Sequence, residues 1–146
     1  MNIFQRQIDF VNNLEAQLFE SLRATFNQFG FVVIDIVTEK QLFDRGIDGN
    51  LERLPEYSDS YKRIKIKLGQ PSDRTTLRDT GSFYASLEIR AFADRYEISS
   101  DVKHETYLIE RYGDDIYKPT NRKLTEFLTN FYLPILKQNT DGQFTG

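Results

Sequence analysis

Residues 3–37 read IFQRQIDFVNNLEAQLFESLRATFNQFGFVVIDIV, and how this stretch is divided decides the fold. Phe4, Ile8, Val11, Leu14 or Glu15, Leu18, Leu22, Phe26 and Phe29 recur at three- and four-residue steps. That spacing predicts one long amphipathic helix over 3–29. Gly30 follows as the expected C-cap, where a left-handed residue is favoured. Residues 31–37 are β-branched and aromatic and read as a strand, buried on both faces at its start. Residues 38–43 continue that strand or form a helical turn. Phe10 and Phe19 lie off the main stripe and widen it. The wide face has two readings, a broad core contact or a subunit contact.

Downstream, residues 44–80 show no period and carry Gly46, Gly49, Pro55, Gly69 and Pro71. They read as a long extended loop with at most a short helix around 58–68. Loops of this length in a compact domain are usually functional or disordered. Residues 82–100 read as a hairpin with a helical turn at 83–86 leading in, because Leu87, Ile89, Ala91, Tyr96 and Ile98 alternate with polar residues. Residues 102–112 form a short helix stopped by Gly113, and Ile116 and Tyr117 pair as a short strand. Thr120 is the expected N-cap of a last helix carrying Leu124, Phe127, Leu128, Phe131 and Ile135 on one face. Pro134 should kink or end it. One domain over 1–138 and a flexible tail over 139–146 are expected.

The chain has 146 residues, 39% hydrophobic and 28% charged, a globular and not a disordered composition. It has no cysteine and one histidine, His104, which removes disulfides, thiol chemistry and Cys/His zinc sites. The longest apolar run, Phe29–Ile34, is six residues long, against the ~20 that a membrane helix needs. The opening Met1-Asn2-Ile3-Phe4-Gln5-Arg6 turns polar within a few positions, so no secretory leader is expected.

Signatures of catalysis or ligand chemistry are weak. Gly46-x-x-Gly49 lacks the Lys-Ser/Thr of a phosphate loop. Asp44, Asp48 and Gly49 resemble a calcium loop only until Gly46 and Pro55 fall where ligands belong. Asp114 and Asp115 read as a solvated turn, and His104 as a surface residue between Lys103 and Glu105. No enzyme, cofactor or metal is expected. The charge asymmetry is more informative. Lys62, Arg63, Lys65, Lys67, Arg74 and Arg78 face one acid, Asp73, over 61–78. That segment is therefore +5 on a chain of net −3, and the remainder is acidic by about eight units. The cations form a solvated face or contact an anion, with Tyr57 and Tyr61 placed for stacking. An acidic remainder favours like copies docking basic loop against acidic wall.

The segment Leu77-Arg78-Asp79-Thr80-Gly81-Ser82-Phe83-Tyr84-Ala85-Ser86-Leu87 resembles the Leu-x-Asp-Thr-Gly-x-Leu-x-x-Ser pattern of tailed-bacteriophage head–tail connector and tail-completion proteins, the tail-terminator, minor-tail and virion-morphogenesis families. The surroundings resemble them in order: Gln41–Asp48 before the mobile loop, Leu54-Pro55-Glu56-Tyr57-Ser58 and Lys65–Gly69 within it, and Lys118-Pro119-Thr120-Asn121-Arg122 entering the last helix. The Trp of the relatives is absent here.

The resemblance covers roughly residues 38–128. It implies an α+β fold, with a small, mostly antiparallel sheet packed by the N-terminal helix and an amphipathic C-terminal helix. It implies a non-enzymatic virion protein made in the host cytoplasm, a ring of six- or twelvefold symmetry at the neck or tail. Its implied partners are further copies, portal or adaptor proteins and tail-tube proteins, with a non-specific DNA contact in the channel and no membrane. On this reading the loop contacts come from Tyr57, Tyr61, Lys62, Arg63, Lys65, Lys67, Arg74 and Arg78. Asp79, Thr80 and Gly81 form an architectural turn, with Asp79 or Thr80 capping the element after it and Gly81 free to take a positive φ. The alternative is a soluble phage-encoded module that uses the basic loop on nucleic acid or an acidic protein.

Overall fold

A computed structural model describes residues 3–144, with side chains throughout except at Phe4, Phe10, Val102 and 141–144. The expectations for Phe4, Phe10 and the last two residues lie outside that description. The fold is α+β: a two-stranded antiparallel sheet packed on a long N-terminal helix, with a C-terminal helix packed on that same helix.

Helix α1 runs Ile3–Asp35 and continues without a break into a wider π-type turn, Ile36–Phe43. The strand predicted at 31–37 is therefore helix. Burial decides against β propensity here, because Phe26, Val33 and Val37 keep the step of the upstream stripe and all three are buried. The segment is covered on two sides, which buries Val33 and Val37 and leaves Phe31 69% exposed. Ile89, Ala91 and Tyr96 of the hairpin and Leu124, Phe127 and Phe131 of the C-terminal helix pack into one cluster with Phe26 and Val33. Phe26 stacks on Tyr96 at 4.3 Å between centroids and lies 5.4 Å from Phe127.

Gly30 is not a cap. It lies mid-helix at the crossing with the hairpin, where a Cβ would meet Ile89 Cγ2 at 2.4 Å. The capping glycine is Gly46, sixteen positions on, with φ +62 and its N–H on Leu42 O at 3.0 Å.

Residues 44–80 are folded against the body. Helix α2 spans Asp59–Lys67, capped by Ser58, whose Oγ accepts from Tyr61 N. The backbone of Ile47 pairs with that of Arg53, and Leu54, Thr75 and Thr76 are buried. Helix α3 is Ser82–Ser86, followed by β1 (Glu88–Ala91) and β2 (Tyr96–Ser99), in register Ile89 opposite Ile98. The hairpin and its helical lead-in follow the sequence reading. So does α4, Val102–Tyr112, which is stopped by Gly113.

Ile116 and Tyr117 are not a strand. They sit in a 3₁₀ turn, Asp114–Tyr117, both buried in a second cluster with Val37, Leu42, Leu54, Phe83 and Leu108. Gln41 clasps the next segment, its Nε2 donating to Lys118 O at 2.9 Å and its Oε1 accepting from Thr120 N at 2.8 Å.

Thr120 caps α5, Asn121–Phe127, by accepting from Lys123 N. The helix passes through a π turn, Leu128–Tyr132, into α6, Leu133–Phe144. Pro134 neither ends nor interrupts it. A proline crowds the carbonyl four residues back, here Asn130, which lies inside the wider turn, where Leu133 N–H already bonds five residues back to Leu128 O. The polar stretch expected as tail is helical through Phe144, and Asn139 Nδ2 donates to Ser21 Oγ at 2.8 Å.

Candidate functional site

The predicted contact residues do not act alike. Lys65, offered by its sequence as a free cation, is 1% exposed. Its Nζ donates to Arg78 O and to Gln70 Oε1, each at 2.7 Å, and lies 5.5 and 5.4 Å from the ring centroids of Tyr57 and Tyr61. Gln70 Nε2 reaches Asp79 O at 3.1 Å. Lys65 therefore ties α2 to the chain entering the Asp79-Thr80-Gly81 turn.

Arg74 is committed too. Its Nε donates to Phe43 O at 2.6 Å and its guanidinium lies over the Phe43 ring. Arg78 packs against the same ring, 5.1 Å from its centroid, and pairs loosely with Glu39 at 3.8 Å. Lys62 is half-buried and pairs with Glu56 at 3.1 Å. Only Arg63 and Lys67 of the predicted cations are exposed without a salt bridge among the described residues, Arg63 Nε donating to Asp59 O of its own helix at 3.4 Å.

The turn is built as the residue types demand. Ser82 N donates to Thr80 Oγ1 at 3.3 Å, Gly81 has φ +87, and Gly81 O accepts from Ala85 N at 3.0 Å. Asp79 is exposed and makes no cap. Upstream, Tyr57 Oη accepts from Thr76 N at 3.0 Å, and Tyr84 Oη donates to Thr76 O. Burial pushes the Tyr84 phenol well up, with the Glu39 carboxylate adding to it.

Two clefts flank the turn. The first, of about 420 Å³, lies between α2 and α4 and brings Tyr57, Tyr61 and Arg78 together with Tyr107, Arg111 and Tyr112. Burial raises the Tyr61 phenol, helped by the Asp79 carboxylate. Sequence reasoning missed the α4 residues. Their signal was the spacing of Tyr107 and Arg111, one helical turn apart.

The second cleft, of about 380 Å³, is lined by Ser82, His104, Lys103, Asp79 and Tyr107. Here Ser82 Oγ lies 3.2 Å from His104 Nε2, and His104 Nδ1 lies 2.5 Å from Asp101 Oδ1. The same Asp101 oxygen accepts from His104 N at 2.9 Å, capping α4. The two bonds from His104 hold the Asp101 carboxyl below its ordinary range. His104 is thus held at both ring nitrogens, which no spacing in the sequence announces. Among the described residues no group of three or more His, Asp or Glu side chains is placed to hold a metal ion.

Two exposed apolar surfaces lie on α1 and α2. From Ile3 to Glu20 the described side chains of α1 are exposed, with only Asp9, Leu14 and Gln17 half-buried. Ile8 (53%), Val11 (59%) and Leu18 (43%) continue the stripe whose later members form the core. On α2, Ile64, Ile66 and Leu68 are exposed while Lys65 is buried. No described helix is long and apolar enough to cross a membrane. No family model, curated protein or solved structure matches the chain.

Proposed function

We propose that this chain is a structural subunit of a tailed-phage virion, a copy within a ring at the neck or tail that joins the head-to-tail connector to the tail around the DNA channel. The observation that carries the reading is the uncovered half of α1. A helix normally buries its apolar stripe against its own domain. Here the stripe is fully buried only from Phe26 onward; Ile8, Val11 and Leu18 are exposed and Leu14 is half-buried, a face open to another chain. Exposed apolar surface of this kind marks an assembly face. The ordered motifs around Asp79-Thr80-Gly81 supply the choice of assembly, and the Thr80–Ser82 turn fits their architectural role.

The test is quantitative mass spectrometry of gradient-purified particles made by the genome that encodes the chain, scaled to the portal protein. A fixed whole-ring ratio to portal is expected. Absence from the particle would overturn the reading.

A second reading rests on the Ser82–His104–Asp101 chain beside its cleft. With Nδ1–H hydrogen-bonded to Asp101, Nε2 would take the Ser82 hydroxyl proton as Oγ adds to a carbonyl carbon, give it to the leaving group as the bond from that carbon breaks, and then deprotonate a water that hydrolyses the acyl-Ser82 ester. It ranks second because Asp101 and Ser82 are solvent-exposed and already serve local turns. A fluorophosphonate probe decides it. Labelling of Ser82 that is lost in His104→Ala would favour a serine hydrolase, and no adduct would eliminate one.

A further inference from the structure

Helix α2 is inside out. Its one buried side chain is a lysine, while Ile64 and Ile66 within it and Leu68 at its end are 50%, 64% and 58% exposed. At 100° per residue, Arg63 and Lys67 fall between these apolar residues on the same outward arc. The inversion is enforced from within. Tyr57, Tyr61, Gln70 and Arg78 O give the Lys65 head its partners, so the helix is locked with that face inward. What it presents outward is a pair of cations flanked by apolar side chains, Ile66 on one side and Ile64 and Leu68 on the other, which asks for a partner that sets an acid among apolar residues.

The chain owns such a surface. The uncovered stripe of α1 exposes Ile8, Val11, Leu18 and Phe19. Glu15 sits within that stripe, exposed and in no salt bridge among the described residues. Over Ile3–Glu20 the helix holds Asp9, Glu15 and Glu20 against Arg6 alone. We infer that the outward face of α2 docks on the first half of α1 of a second copy, with Arg63 or Lys67 meeting Glu15. The two faces differ, so the contact is heterologous and repeats from copy to copy until a ring closes. A charge pair between the two faces sets their orientation and encounter more than their affinity. This inference rests on the ring proposed above and names the surfaces that build it.

The chain has no cysteine, so single cysteines report the contact directly. Val11→Cys and Ile64→Cys, each exposed and each checked for wild-type circular dichroism, are treated in solution with a short bis-maleimide, alone and mixed. Covalent dimer in the mixture and none in either variant alone is expected. Arg63→Glu with Lys67→Glu in the Ile64→Cys chain should cut that yield several-fold, and Glu15→Lys in the Val11→Cys chain should restore it. Dimer from Val11→Cys alone would mean that α1 pairs with α1. Either that result or no dimer from any sample overturns the docking. The particle measurement stands apart: a chain present in virions at ring ratio but giving no mixed dimer leaves the ring and removes this interface.

Discussion

Gly30→Ala tests the crossing of α1 with the hairpin, where Ile89 lies over the helix. In an uncrowded helix interior the change would stabilise by about 1 kcal/mol, since Gly is that much worse than Ala there. At this position the new Cβ meets Ile89 Cγ2 at 2.4 Å, with Ile89 Cβ itself 3.7 Å away. A β-branched side chain has little rotameric freedom to retreat, and Ile89 is paired across the sheet with Ile98. Overpacking of this kind costs about 1–3 kcal/mol, toward the upper end for so close a contact. The net expectation is a loss of about 1–2 kcal/mol, a Tm drop of about 2–8 °C.

Ile89→Ala removes the clashing methyl, so in the double variant the glycine substitution should turn neutral or favourable, giving a coupling of about 1–3 kcal/mol. The assay is urea denaturation of the four proteins followed by circular dichroism. If Gly30 were instead a left-handed helix end, its substitution would cost energy whatever stands at 89. Additive losses, or a stabilised single variant, would therefore refute the crossing.

Lys65→Met should cost roughly 1–3 kcal/mol in the same assay, because it leaves Arg78 O and Gln70 Oε1 without their donor. Arg63→Ala, on the exposed face, should stay within about 0.5 kcal/mol. Gly49→Ala should be among the most damaging single changes, since a Cβ would fall 2.5 Å from Lys118 O, backbone that Gln41 already holds. Burial raises the phenols of Tyr61, Tyr84, Tyr96, Tyr117 and Tyr132 above the ordinary value of 10.0. The unfolded chain then loses these protons first, so the stabilisation is complete below pH 10 and is lost as pH rises through the folded values. Denaturation midpoints should fall steadily above pH 10, and Tyr84→Phe should blunt the fall. A flat profile would contradict that burial.

The site was half legible. Thr80 and Gly81 announce their turn because a hydroxyl two residues before an N–H and a positive φ are local demands. Lys65 misled because a lysine in a basic run reads as solvated, and its acceptors, Gln70 Oε1 and Arg78 O, come from the returning chain. Ser82, His104 and Asp101 misled in the opposite direction. Asp101 and His104 are three residues apart, but Ser82 arrives from across the hairpin.

What the amino-acid order alone determined is therefore whatever closes within a few residues. That holds for the stripe from Ile8 to Phe29, the cap at Thr120, the hairpin, and the stop at Gly113. The tertiary structure decided the rest. FVVIDIV is as good a strand as a helix until two layers cover it, and Gly30 is as good a cap as a crossing until Ile89 stands over it. Local preferences amount to about 1 kcal/mol per residue, while burying one large apolar side chain yields about 1.5–3 kcal/mol. Where several such side chains are buried together, as at Phe26, Val33 and Phe127, packing overrules propensity.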